Sequence, residues 1–170
     1  MLFRSGVPPS EIVAFTFTRK AAEGLKLRIR GILERKCKEK SDFGDMYVGT
    51  IDSFCLHILK QIKPEYRSFE VLDEARRIAF VDRWYHAIGL ESLRQYEVGG
   101  KWKTMKTFCR SVDLIVTEKI DIQKLSNRDF VKCFIAYREI LQKERFFDFN
   151  SIIQTILEVL KNDTEAMEQL

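Results

Sequence analysis

The stretch that decides the fold of this 170-residue chain is Ala14-Phe-Thr-Phe-Thr-Arg-Lys-Ala-Ala22, and its pattern returns at Val48-Gly-Thr-Ile-Asp-Ser-Phe-Cys55. In each segment a short apolar run stops at small hydroxyl residues and passes at once into a helix-like stretch. That layout sets Thr, Ser and backbone N–H groups at the carboxyl end of a strand, where open α/β sheets bind ligands. The helix that begins there adds a partly positive terminus suited to phosphate. One such segment says little; two within the first third of a chain say much more.

Working outward, Pro8-Pro9-Ser10-Glu11 precedes a β-rich, nearly all-apolar run from Ile12 to Phe17. An uninterrupted run of this kind suits a strand covered on both faces, as in parallel sheets. From Arg19 the period becomes helical, with Ala22, Leu25, Ile29, Ile32 and Leu33 on one stripe. Lys36 to Asp45 is polar, contains Gly44 and reads as a loop. Met46 to Gly49 is a second short strand, and Ile51 to Ile62 a helix carrying Phe54, Ile58 and Leu59 until Pro64 ends it. Beyond it, Phe69 to Leu72 reads as a short extended piece, and Asp73 as the N-cap of a helix reaching about Ile88, where Gly89 interrupts. Gly99-Gly100 marks a turn before helices over Trp102–Lys119 and Asn127–Lys143, the second with capping-box spacing at Ser126 and Asp129. A last helix covers roughly Phe149 to Lys161, with Phe146-Phe147 as its anchor. Two strands alone leave unpaired edges, so the chain reads as part of an α/β domain joined to a helical insertion.

Composition narrows the function classes. An apolar content of 45% can fill a core and 32% charged residues suit an aqueous surface. Charge breaks every apolar run well before the ~18 residues of a membrane span, and the first residues lack a signal-peptide h-region. Cys37, Cys55, Cys109 and Cys133 are scattered without a CxxC pair, which points to reduced intracellular thiols and a cytoplasmic setting, with neither a zinc site nor a disulfide framework. The net charge of +4 is mild, but Lys26, Arg28, Arg30, Arg35, Lys36, Lys38 and Lys40 are crowded together. Such a run is either a solvated helix face or the side of a polyanion path.

At the two decisive segments the chain resembles superfamily 1 DNA helicases of the UvrD/Rep type, with their AddA/RecB-like relatives. Phe15-Thr-Phe-Thr-Arg-Lys-Ala-Ala22 is similar to the family's motif Ia, commonly Thr-Phe-Thr-Asn-Lys-Ala-Ala. Gly49-Thr-Ile-Asp-Ser-Phe-Cys-Leu-His-Ile-Leu59 resembles the next DNA-contacting motif, often Thr-Phe-His-Ser-Phe before an apolar helix. Gly6-Val-Pro-Pro-Ser-Glu-Ile12 is similar to the linker before motif Ia. Phe69-Glu-Val-Leu-Asp-Glu74 resembles the start of the helical 1B insertion, and Tyr137 through Asp148-Phe-Asn-Ser-Ile-Ile153 the stretch that closes it. Arg19 stands where Asn is usual, Gly24 where Glu is usual, and Asp52 where many members have His; Asn150-Ser151 replaces two acidic positions.

The resemblance implies a partial RecA-like (P-loop NTPase) parallel sheet in residues 1–66, an all-helical 1B-type insertion in 67–147 and a return helix in 148–170. The implied function is that of an ATP-dependent helicase or translocase in DNA repair and recombination, with single-stranded DNA and the remaining helicase domains as partners. ATP and Mg2+ belong to the intact parent. This chain has no GxxxxGK[ST] phosphate loop and no Asp-Glu pair after an apolar strand, since Asp73-Glu74 opens a helix. The expectation is therefore an internal slice without catalytic residues or cofactor, inactive alone and prone to self-association. The rival reading is a non-catalytic, helicase-derived module that binds protein or nucleic acid.

The resemblance assigns nucleic-acid contact to Phe17, Thr18, Arg19, Thr50, Asp52 and Ser53. Phe17 stacks on a base if it projects beyond the sheet, and otherwise packs in the core. Thr18 and Arg19 offer a hydroxyl and a charge to phosphate, with Thr18 also suited to cap its helix. Thr50 and Ser53 repeat that logic. Asp52 repels phosphate, so its place in the grip is as a helix cap or as the orienter of a basic neighbour. Cys55 and His57, two positions apart on a helix, point in different directions and make no nucleophile pair. Trp84, Tyr85, Trp102 and Phe108 recur at helical spacing and read as core; His86 reads as an ordinary histidine.

Overall fold

A computed structural model describes residues 7–36, 46–96 and 99–162. The chain divides into two compact units, Met1–Ile58 and Leu59–Leu170.

In the first unit a turn of 3-10 helix at Pro9–Glu11 leads into strand β1 (Val13–Phe15). Helix α1 (Arg19–Lys36) follows, then strand β2 (Tyr47–Gly49) and helix α2 (Ile51–Ile62), whose last four residues fall in the second unit. The strands are parallel, with Val13, Ala14 and Phe15 opposite Tyr47, Val48 and Gly49. Thr16 N–H donates to Gly49 O at 2.9 Å, and Tyr47 N–H to Ile12 O at 3.1 Å. Parallel pairing needs a crossover, and α1 supplies it by packing against β2. Alternation puts Ala14 and buried Val48 on one face, and Val13, Phe15 and Tyr47 on the other. Phe54 of α2 lies over that second face, its ring 4.9 Å from Tyr47 and 5.3 Å from Phe15. Phe54 thus sets α2 against that second face, while α1 packs against β2.

The first strand is shorter than its apolar run. Pairing covers only Val13–Phe15, and Val13 and Phe15 remain half-exposed instead of covered on both sides. Of the α1 stripe, Ala22 and Leu33 are buried, Leu25 and Ile29 half-buried, and Ile32 exposed. The expected loop from Lys36 to Asp45, with Cys37, Lys38, Lys40 and Gly44, lies outside the described residues apart from the backbone of Lys36.

The described residues of the second unit are helical apart from a two-stranded parallel pair and short turns. After the 3-10 turn Pro64–Ser68 come strand β3 (Glu70–Val71), helix α3 (Glu74–Arg83) and the short helix α4 (Tyr85–Ile88). Helix α5 (Gly100–Thr117), helix α6 (Arg128–Lys143), strand β4 (Phe146–Phe147) and helix α7 (Phe149–Asn162) complete it. Glu70 and Val71 pair with Phe146 and Phe147, so the region read as all-helical is bracketed by strands. Phe146-Phe147 is a strand rather than a simple anchor, and Phe147 is buried against Phe69 with rings 4.9 Å apart.

Local chemistry sets the helix boundaries. Asp73 Oδ1 accepts Arg76 N–H at 2.9 Å, as its position foretold, but the helix turns at Trp84 before continuing as α4. Gly89, at φ 86°, closes α4 in the left-handed conformation that glycine adopts without strain. The cap of α6 is Asn127, whose Oδ1 accepts Phe130 N–H at 3.0 Å, instead of the expected Ser126–Asp129 box. Tyr137, Phe108, Leu90, Val81 and Val112 form the centre of the core. Through it runs a buried polar hub on Arg77. Its guanidinium reaches Tyr137 Oη at 3.0 Å, Asp113 Oδ1 at 2.6 Å and Asp148 Oδ2 at 3.5 Å. Burial works against this charge, yet the neighbouring Tyr137 and Asp148 hold Arg77 firmly protonated. No helix of the described residues is long and apolar enough to cross a membrane.

Candidate nucleic-acid interface

The register of β1 and β2 brings the two hydroxyl-ended segments to the same carboxyl edge. Thr16–Thr18 continue from β1, and Thr50 follows the last residue of β2. Phe17 is wholly exposed, at 103% of its reference surface, so it is not a core residue. Thr16 Oγ1 donates to Thr18 O at 3.0 Å and stiffens the bend that turns Phe17 outward. Thr18 Oγ1 accepts Ala21 N–H at 3.1 Å and caps α1. Arg19 and Lys20 open α1 and are both exposed.

The second segment repeats this construction more tightly. Thr50 is buried; its Oγ1 accepts Ser53 N–H at 3.3 Å and shares a 2.8 Å hydrogen bond with Ser53 Oγ. The cap of α2 is therefore Thr50, not Asp52. Asp52 stands half-buried in the first turn. Burial pushes its carboxyl above the ordinary range, opposed by its own backbone N–H and by the charge of Arg19. Asp52 and Arg19, thirty-odd positions apart in sequence, thus feel one another electrostatically across the paired strands.

Tyr47 is the residue that the sequence reading missed. Its ring packs edge-on to Phe54, with centroids 4.9 Å apart, and lies 5.8 Å from the ring of His57. Its hydroxyl donates to Thr50 O at 3.5 Å. Burial pushes the phenol up while a hydrogen bond with the Ser53 side chain opposes this, so the group is protonated at neutral pH. A β-strand places Tyr47 on the face of Phe15, but no periodicity says that its ring leans towards the carboxyl edge, over Gly49.

The other candidates separate. Burial, with Asp52 nearby, pushes the Cys55 thiol up, against thiolate formation, and His57 is exposed and turned to Tyr47. Tyr85 and Phe108 are buried core, Trp84 is half-buried against it, and Trp102 is exposed with Lys106 Nζ 5.0 Å over its ring. His86 is exposed and paired with Glu91. Lys26, Arg28, Arg30 and Arg35 are exposed on α1, where Arg35 Nε also donates to Gly31 O at 2.7 Å. Among the described residues no group of three His, Cys, Asp or Glu side chains could hold a metal ion.

Residues 1–170 match the model of the UvrD/REP helicase N-terminal domain. The chain belongs to this family. A probable DNA helicase of Mycoplasma pneumoniae is 27% identical over 96% of the chain. The ATP-dependent DNA helicases PcrA of Bacillus subtilis and Staphylococcus epidermidis are 24% and 22% identical over 95% and 99% of it. The chain spans 31% of the first relative's length and 21% and 22% of the other two.

Proposed function

We propose that this member of the UvrD/REP family is the part of an ATP-dependent DNA helicase that grips single-stranded DNA. The observation that carries the reading is the shared carboxyl edge, with two capped helix starts, the hydroxyls of Thr16, Thr18, Thr50 and Ser53, and a phenyl ring standing clear of the protein. Hydroxyls and N-terminal turns suit phosphate, and an exposed aromatic ring suits an unstacked base. In this reading residues 1–66 are part of a RecA-like domain 1A, 67–147 a 1B-type insertion, and 148–170 the return towards 1A. The names of the relatives and the hydroxyl edge support it. A cytoplasmic setting and roles in DNA repair and recombination belong to the same proposal.

The residues present do not fit ATP or Mg2+. The sequence has no GxxxxGK[ST] loop to cradle phosphates, and the described carboxylates form no metal cluster. We therefore assign this chain the grip and no hydrolytic step.

Fluorescence anisotropy of the purified chain with labelled oligonucleotides, across several salt concentrations, tests the grip. Two to four neutralised phosphates give a log–log salt slope of about −1.5 to −3 for a single strand. Phe17→Ala weakens binding at every salt concentration, because stacking is barely screened, while Arg19→Ala chiefly flattens the slope. Binding that ignores both substitutions refutes the assignment. The half-exposed Val13, Phe15 and Ile51, beside strands whose outer edges pair with no other strand among the described residues, favour a protein partner as well. We assign that role to the remaining helicase domains, with a second copy of the chain as their substitute in isolation. Sedimentation that stays strictly monomeric across concentrations contradicts this.

A further inference from the structure

One hydroxyl at the carboxyl edge has no packing reason to exist. The Tyr47 ring is held by Phe15, Phe54 and His57, contacts that a phenylalanine would make equally well. The ring lies so close across Gly49 that a Cβ there would stand 2.6 Å from the phenol oxygen and 2.8 Å from the ring carbon that bears it. Only a glycine leaves the phenol room to extend past the end of β2. Once there, its proton is poorly used. The bond to Thr50 O is 3.5 Å long, against about 2.7–2.8 Å for an ordinary O–H···O bond. That carbonyl already accepts Phe54 N–H at 3.0 Å. The ring is fixed and the residue half-buried; the phenol oxygen meets the Ser53 side chain, while its proton is only loosely engaged by Thr50 O.

We propose that Tyr47 is a further direct contact of the grip, its hydroxyl donating to a phosphate oxygen of a single strand lying along the Thr50–Ser53 edge. This rests on the reading of that edge as a nucleic-acid grip. Gly49 is then a specificity feature in its own right, because any side chain there displaces the phenol.

The test is Tyr47→Phe in the 170-residue chain, measured by anisotropy against a labelled oligothymidylate at several salt concentrations. Removing one hydrogen bond to a charged oxygen weakens binding roughly tenfold. The salt slope stays unchanged because no charge is lost, and the thermal midpoint stays unchanged because the ring remains. Tyr96→Phe is the control: that hydroxyl is also held only at 3.5 Å, by Asp129 in the second unit, and its removal leaves binding unaltered. Wild-type affinity in Tyr47→Phe, with Phe17→Ala or Arg19→Ala still weakened, overturns the Tyr47 contact and leaves the grip standing. A fall in affinity matched by a fall in thermal midpoint assigns the hydroxyl to folding and also overturns the contact. A wild-type chain that shows no salt-dependent binding removes the grip and this contact together.

Discussion

A carboxylate beside the proposed phosphate grip would work against the ligand, and Asp52 also works against the fold. Its carboxyl is raised above the usual range chiefly by burial, so the folded chain holds its proton more tightly than the unfolded chain does. Stability therefore falls as pH rises from the ordinary carboxylate value through the raised one, and stays lower above it. Asp52→Asn should stabilise the chain at neutral pH and lose that advantage below about pH 4, where Asp52 is neutral in both states. Thermal melts between pH 3 and 7 check it; a variant less stable than wild type at pH 7 contradicts the assignment. Gly24 offers a second case. It stands inside α1 with nothing within 4 Å of where a Cβ would be. Gly24→Ala should add about 0.5–1 kcal/mol, read as a higher thermal midpoint. At this scale the sequence was legible wherever residue type alone set the role. Thr18 and Thr50 cap because hydroxyls after strands do so, and Phe17 stands out because pairing ends before it, at the Thr16 N–H bond to Gly49 O. Tyr47 was not legible, because its role depends on the missing side chain of Gly49 rather than on its own pattern.

Among the elements, long periodic helices were easiest to foresee and two-residue strands hardest. Strand β3 pairs with β4 through two residues each, too few to show alternation, and Phe146-Phe147 read as well for a helix anchor. The choice between Ser126 and Asn127 as cap turned on one residue of register, below what spacing resolves. The end of α5 gives a sharper test. Ile120 N–H returns to Ile115 O at 2.9 Å and Lys119 N–H to Val116 O at 3.3 Å, the paired bonds of a Schellman motif. The motif puts Lys119 at φ 53°, a conformation that costs a side-chain-bearing residue about 1–2 kcal/mol. Lys119→Gly should therefore stabilise the second unit by roughly 1 kcal/mol, less whatever glycine adds to the freedom of the unfolded chain. Urea titration measures it, and a destabilised variant would show that the lysine side chain matters more than the backbone.

For the molecule as a whole, the Arg77 hub is the feature on which most depends. It ties α3 to α5 through Asp113, to α6 through Tyr137 and to the start of α7 through Asp148. Asn150 Nδ2 adds a 2.7 Å bond to Asp113, and Asp148 Oδ1 caps α7 by accepting Ser151 N–H at 2.8 Å. Arg77→Ala would strand Asp148 in the interior and should cost about 3–5 kcal/mol, enough to unfold a marginal unit. Tyr137→Phe, which keeps the ring, should cost about 1–3 kcal/mol. Equal losses from the two variants, in denaturant titrations, would mean that the hydroxyl and not the charge holds the hub. None of this was visible in sequence, since nothing in a helical stripe of apolar residues marks which arginine goes inside.

The pairing of β3 with β4 has a consequence of another kind. Arg145 Nη1 donates to Ser68 Oγ at 3.0 Å across 77 positions, and the two strands lie side by side at the ~4.8 Å spacing of any sheet. The two strands therefore join the ends of the segment that runs from α3 to α6 within the second unit. Their four residues should tolerate less change than the exposed faces of the helices between them.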